Sequence, residues 1–301
     1  MKKIIVTGGS GLVGSELKKI LNEALYPSSS EMNLIDPKSI SNYLKKNKPT
    51  HIVHLAAHVG SLHDNIKNRC KYFDENIIMN TLITKISADL GINYFLGILS
   101  TCIYPDTNNN FPLRESCLHE GKPHESLMSY AYAKRAHSVQ LDNYRETYGY
   151  NYQYLIPCNM YGLPNKKNKK RQHFINDLIQ KIVIAKNNDE DVVLFGDGTP
   201  LRQFMHARDF AKIISLYINN NKNFSSNVAP DINLSINDYA QFALKLFNLN
   251  HINIKYDHSL PNGQFRKDVS TSIFNKHFPE FVFSDLATGF HELYDFYSLQ
   301  L

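Results

Sequence analysis

The stretch Thr7-Gly-Gly-Ser-Gly-Leu-Val-Gly14, near the start of the chain, restricts the possible folds more than any other part of this sequence. It follows the β-rich run Lys-Lys-Ile-Ile-Val-Thr and opens a helical pattern in which Leu12, Val13, Leu17 and Leu21 fall broadly on one face. Glycines at 8, 11 and 14 have separate tasks: Gly8 permits a tight turn, Gly11 lets the backbone approach a pyrophosphate, and Gly14 lets the helix lie close to the sheet. The first helical N–H groups then face the phosphates. Strand, glycine turn and amphipathic helix in succession make Gly8, Ser10, Gly11, Leu12 and Val13 the expected cofactor-binding turn.

The rest of the chain keeps this rhythm for about half its length. Apolar runs at 51–57, 94–100 and 152–157 read as strands, and helical patterns cover 37–46, 72–90 and 127–148. Such alternation predicts an α/β fold, a Rossmann-type doubly wound parallel sheet with helices on both faces. From residue 164 the rhythm changes to a basic loop KKNKKR, a helix at 173–186, the strand VVLF, the turn GDGTP, a short segment LRQFMHARDF and helices at 235–247 and 284–297. We therefore expect a dinucleotide-binding domain over 1–163 and a smaller substrate lobe over 164–301, some of whose segments return to the first domain.

Composition excludes several classes. No segment of the 301 residues approaches the ~20 apolar positions of a membrane helix, and the opening residues lack a signal-peptide core. Four cysteines without C-x-x-C spacing argue against a metal site and for a reducing cytoplasm. A net charge of +5 is too mild to indicate nucleic acid but suits an anionic small substrate.

The chemistry is carried by Ser129-Tyr-Ala-Tyr-Ala-Lys134, which places Tyr130 and Lys134 at i and i+4 on one helix face. An ammonium beside a phenol lowers the phenol's pKa, fitting it to pass a proton, and Ser100 at a strand's carboxyl end can bond the same carbonyl oxygen. Tyr132 has no lysine four residues on. Cys102, two residues beyond Ser100, reads either as a small buried residue or as a thiol activated by a nearby cation such as His173. The cofactor's ribose meets Tyr26-Pro-Ser-Ser-Ser-Glu31, where three serines suit a 2′-phosphate and Glu31 a 2′-hydroxyl; the lack of an earlier carboxylate favours NADPH over NAD.

With VTGGSGLVG and YAYAK, the pieces NLID, HLAAHVG, STCIYP, NMYG, GDGTPLRQFMHARD and FSDLATGFHELYDFY resemble the extended short-chain dehydrogenase/reductases, and within them the GDP-L-fucose synthase family, over nearly the whole chain. That resemblance implies C3 and C5 epimerisation of a GDP-linked 4-keto-6-deoxy sugar followed by NADPH-dependent reduction at C4. It assigns Tyr130 as proton donor, Lys134 to the nicotinamide ribose, Ser100 to carbonyl polarisation, and Cys102 and His173 to epimerisation. It places Arg202, Asn159 and Lys267 at the substrate, Asp36 near adenine, and Leu55, Ala56, Ala57 and Asn76 along the cofactor path. It also implies a homodimer. Arg202 has a competing reading as a surface ion pair with Asp197 or Asp209. The alternatives in function are reduction at C4 alone, on a GDP-4-keto-hexose or heptose, or a non-catalytic NADP sensor. Three departures from the family pattern stand out: the basic run in place of a Pro-rich turn, Ser10 in place of an arginine, and Asn262 in place of an aspartate.

Overall fold

The computed structural model describes residues 2–60, 62–106, 110–164, 173–220, 223–259 and 262–300. The basic run at 166–171 lies outside the described residues. The first half of the chain forms β1 (Ile4–Thr7), α1 (Leu12–Ile20), α2 (Pro37–Asn47), β2 (His51–His54), α3 (Leu62–Lys67), α4 (Arg69–Asp89), β3 (Tyr94–Ile98), α5 (Met128–Tyr148) and β4 (Asn151–Pro157). The remainder forms β5 (Asn159–Tyr161), α6 (Phe174–Asn188), β6 (Val192–Phe195), β7 (Leu201–Arg202), β8 (Phe204–His206), α7 (Ala207–Asn219), β9 (Ser226–Val228), β10 (Leu234–Ser235), α8 (Ile236–Leu246), β11 (Ile254–Asp257), α9 (Ser272–His277) and α10 (Leu286–Ser298).

The central sheet is parallel throughout, in the order β1-β2-β3-β4-β9. Every residue of β2 and β3 is buried, as expected of strands covered on both faces by helices. On the other side of β1, Leu25 makes a parallel bridge to Ile5, its carbonyl accepting from the Val6 N–H at 2.8 Å. Chain order therefore runs outward from β1 in both directions. This reversal opens a crevice at the carboxyl ends of β1 and β2, where ligands bind in open α/β sheets.

Burial of side chains such as Ile5, Val6, Ile52, Phe95, Leu96 and Leu155 forms the larger core, each contributing roughly 1.5–3 kcal/mol. A second core joins α6, α8 and α10 around Ile179, Ile182, Ala243, Phe290 and Leu293. The chain crosses between the cores repeatedly: β9 completes the central sheet, and α7 packs on α1 within the larger core. Three two-stranded pairs complete the fold, β5 with β8, β6 with β11 and β7 with β10; the first contributes to both cores, through Met205 and through Tyr161 and Phe204, and the second packs in the second core through Val192 and Leu194.

The segment expected as a short LRQFMHARDF piece contains β7 and β8 and then leads into the 13-residue helix α7. Its start has no Ser, Thr, Asp or Asn signal because His206 is the cap, its Nδ1 accepting from the Arg208 N–H at 3.1 Å. The strands expected over 51–57 and 94–100 end earlier, at His54 and Ile98, and the residues beyond them line the crevice. Among the described residues no helix is long and apolar enough to cross a membrane, and no group of three His, Cys, Asp or Glu side chains is placed to hold a metal.

Candidate active site

A cleft of about 410 Å³ occupies the crevice, walled by the glycine turn, by Leu55, Ala56 and Ala57 after β2, and by Leu99 and Ser100 after β3. Tyr130 and Lys134 of α5, Cys158, Asn159, His173 and Asn176 complete it. Gly8 has φ +72°, and a Cβ there would lie 2.7 Å from the Ala56 backbone nitrogen, so the ends of β1 and β2 meet only because this residue has no side chain. A Cβ on Gly14 would lie 2.5 Å from the Gly8 carbonyl oxygen, so α1 approaches its own turn by the same means. The N-terminus of α1 has no side-chain cap and no acidic residue in its first turn. That arrangement leaves helical N–H groups and positive dipole for an anion, and fits a dinucleotide pyrophosphate.

Ser100 ends the extended chain after β3 and caps the short turn Thr101–Ile103, its Oγ accepting from the Cys102 N–H at 3.4 Å. Lys134 is 1% exposed and donates to the Ile98 carbonyl at 2.8 Å, which fixes its ammonium beneath the cleft. Burial lowers its pKa to about 8. The expected lowering of the Tyr130 pKa by Lys134 is not what the structure gives. Burial, and next the adjacent Cys102, push the phenol well above its ordinary 10.0, so Tyr130 is held protonated.

Of the two readings of Cys102, its surroundings favour the small buried residue. It is 5% exposed, belongs to the larger core and lies outside the cleft lining. Burial raises its pKa, and the strongest opposing influence is the Lys267 ammonium, followed by the Ser100 hydroxyl and Lys134; His173 is not among them. His173, the N-cap of α6, is exposed to solvent and lines the cleft; desolvation, and next the Lys267 ammonium, lower its pKa.

Arg202 and Lys267 lie beyond the cleft lining, on the substrate-lobe side. The Arg202 guanidinium donates to the carbonyls of Leu201 at 2.7 Å and Phe265 at 3.2 Å. Neither expected ion pair forms: Asp197 binds the Thr199 N–H and hydroxyl, and Asp209 binds Ser284 and Lys212. Burial draws Arg202 down to about 10, and burial together with Arg202 draws Lys267 to about 8. Among the described residues neither cation has a carboxylate within ion-pair distance. Two partly desolvated cations, the charge of Arg202 felt at Lys267, are unfavourable alone and suited to a polyanionic ligand.

Asn159 donates to the Gln203 carbonyl at 3.1 Å, so its amide braces the cleft wall. Asp36 lies away from the cleft, where its carboxylate caps α2 by accepting from the Lys38 N–H at 2.9 Å. Asn76 bonds the backbone of His58 in both directions, at 3.0 and 2.9 Å, and so shapes the loop after Ala57. Glu31 accepts from the Ser28 N–H and hydroxyl, both at 2.8 Å, which occupies the carboxylate read as a ribose partner. Asn262 accepts from the Asp197 N–H at 2.9 Å, a contact in which a neutral amide avoids a second negative charge beside Asp197. Cys158 and Asn176 are lining residues that sequence reasoning missed. Cys158 directly follows β4, the same topological signal that marks Ser100, and Asn176 pins Gly162 through paired bonds at 2.7 and 3.4 Å.

Comparison with known proteins agrees with this geometry. Residues 4–233 match the NAD dependent epimerase/dehydratase family. The chain is 33% identical over 301 residues to a GDP-L-fucose synthase of Dictyostelium discoideum, covering 97% of this chain and 93% of that one. It is likewise 33% identical to a GDP-L-colitose synthase of Yersinia pseudotuberculosis, with 91% of each chain covered. The crystal structure of a GDP-L-fucose synthetase from Naegleria fowleri bound to NADP superimposes with a TM-score of 0.86 at 29% identity, covering 99% of this chain and 93% of that one. The glycine turn at the β1/β2 crevice, the Ser100, Tyr130 and Lys134 set in the same cleft and these full-length similarities together establish that the chain belongs to the NAD dependent epimerase/dehydratase family, as an extended short-chain dehydrogenase/reductase resembling the GDP-L-fucose synthases.

Proposed function

We propose that the protein reduces the C4 ketone of a GDP-linked 4-keto-6-deoxy sugar with NADPH, after epimerising C3 and C5. The observation that carries the reading is the convergence of Ser100, Tyr130 and Lys134 on the cleft that holds the glycine turn. Bound NADPH would supply the hydride for C4. The α1 N-terminus and Gly11 would hold its pyrophosphate, and Ser28 and Ser30, whose hydroxyls lie 2.9 Å apart, suit a 2′-phosphate. Ser100 accepts from the Cys102 N–H, which leaves its own O–H to donate to the C4 oxygen. Tyr130, protonated at neutral pH, passes its proton to that oxygen, and Lys134 stabilises the phenolate left behind. Arg202 and Lys267 would grip the diphosphate. A NADP-bound relative and relatives named for GDP-L-fucose and GDP-L-colitose support this assignment.

Epimerisation requires proton removal beside the ketone, and Cys102 and His173 are the candidate groups. A second reading, reduction at C4 alone, is favoured by the burial of Cys102 and its raised pKa. Product NMR after reaction of GDP-4-keto-6-deoxymannose with NADPH in deuterated water decides between them. Deuterium at C3 and C5, lost in Cys102→Ser, supports epimerisation; a reduced product free of label supports the second reading. Stoichiometric NADPH binding without turnover of any nucleotide-linked ketosugar overturns both.

We further propose a homodimer formed through α4 and α5, whose outer surfaces carry the exposed Phe73, Ile78, Val139 and Tyr148. Light scattering that gives the monomer mass at micromolar concentration refutes it.

A further inference from the structure

Beneath the cleft, a chain of buried polar groups that the chemistry above does not use joins the cofactor wall to the catalytic helix. The Ala56 N–H donates to Thr7 Oγ1 at 3.2 Å, and Thr7 Oγ1 lies 2.8 Å from His54 Nδ1. His54 Nε2 lies 3.0 Å from Asn80 Oδ1, and Asn80 Nδ2 donates to the Ala133 carbonyl at 3.5 Å, the loosest link. His54 and Asn80 are both 0% exposed. Four elements are thereby tied: the end of β1, the end of β2, α4, and α5 one residue before Lys134.

The hydrogen-bond network assigns the direction of every link. The Ala133 carbonyl only accepts, so Asn80 turns its NH₂ toward α5 and its oxygen toward His54. That oxygen requires a proton on Nε2. A neutral imidazole then has a bare Nδ1, which accepts from the Thr7 hydroxyl, and the Thr7 oxygen is left to accept from Ala56. Of the two neutral tautomers, only the Nε2-protonated His54 satisfies all four links. Burial, and next the Lys134 ammonium, lower its pKa to about 3, in keeping with that form.

We propose that His54 is a positioning residue: through Thr7 and Asn80 it fixes the distance between Ala56, where the cofactor lies, and the turn of α5 that carries Tyr130 and Lys134. The proposal rests on the reductase reading for its kinetic consequence, but its binding consequence needs NADPH alone. The same helix pair supplies an internal control. Thr84 Oγ1 lies 2.9 Å from His137 Nε2, an equally buried Thr–His contact between α4 and α5 outside the cleft lining, which packs edge-on against the His54 ring at 5.6 Å but has no hydrogen bond to the relay.

The test measures NADPH affinity by fluorescence titration, melting temperature, and kcat and KM with GDP-4-keto-6-deoxymannose. Thr7→Val and His54→Phe are expected to weaken NADPH binding about five- to tenfold, the loss of one or two hydrogen bonds, and to lower kcat. Thr7→Ser should restore both, and Thr84→Val should lower the melting temperature without changing NADPH affinity. Should His54→Phe fail to fold, Thr7→Val and its serine rescue still decide the matter. Thr7→Val that only lowers the melting temperature, or matches Thr84→Val in NADPH affinity, overturns the proposal. So does ¹⁵N NMR showing the proton on His54 Nδ1. If the wild type binds NADPH but turns over no ketosugar, the functional reading fails while the affinity and NMR measurements still test the relay.

Discussion

Replacing Arg202 by methionine separates a residue kept for structure from one kept for a ligand. The guanidinium is half-buried and has no carboxylate among the described residues. Its pKa falls from 12.5 to about 10 through burial, which corresponds to at most about 3 kcal/mol of unfavourable desolvation and, with its water contact, to about 1–2 kcal/mol. Methionine removes that penalty. It also removes the bonds to the Leu201 and Phe265 carbonyls, of which Phe265 keeps the Leu201 N–H as a partner at 2.9 Å. Losing the remaining bond costs about 1–2 kcal/mol, so stability should change by less than about 1 kcal/mol. A bidentate guanidinium–phosphate contact is worth about 3 kcal/mol or more, so affinity for GDP or the GDP-sugar should fall by about 100-fold or more. Urea unfolding and calorimetric titration with GDP supply the two quantities. A loss of more than about 2 kcal/mol in stability with unchanged GDP affinity would falsify the argument, because the guanidinium would then be a structural donor.

Three other outcomes follow from the same geometry. Gly14→Ala drives a Cβ to 2.5 Å from the Gly8 oxygen and 2.7 Å from the Gly9 Cα, both backbone atoms; it should destabilise by about 1–3 kcal/mol and weaken NADPH binding, and an unchanged fluorescence titration counts against the turn as the phosphate site. Tyr130→Phe should lower kcat by about 10²–10⁴ with NADPH affinity kept, and a kcat within a few-fold of wild type removes Tyr130 as the proton donor. Lys134 and Lys267 are depressed from 10.5 to about 8 in the folded state. Above about 8 the unfolded chain holds more protons, so their unfavourable share, full below that pH, fades as pH climbs toward 10.5 and stability rises. Lys134→Met should remove its part of that slope, at most about 1.4 kcal/mol per pH unit; a variant whose stability changes between about pH 7.5 and 9.5 just as the wild type's does contradicts the depressed Lys134.

The α/β fold class and the candidate set Ser100, Tyr130 and Lys134, which meet in one cleft, were legible in the sequence. Thr7 to Gly14 and the i, i+4 pair Tyr130 and Lys134 are local patterns, in which spacing along a strand, turn or helix fixes which side chains share a face. Short or irregular pieces escaped it: β9 has three residues, and α7 starts on a histidine cap, so neither gives the usual boundary signal. The direction of the shifts at Tyr130 and Cys102 comes from the tertiary structure, where burial raises both. A phenol near a lysine in sequence reads as acidified, but burial, and next Cys102, raise the Tyr130 pKa instead. Asp36, placed near adenine by the resemblance, has its carboxylate capping α2, a contact that only the folded chain shows. The line from Ala56 through His54 to Ala133 joins residues more than 70 positions apart. No local pattern encodes such contacts, because they depend on how the sheet order brings the strand ends and helices together.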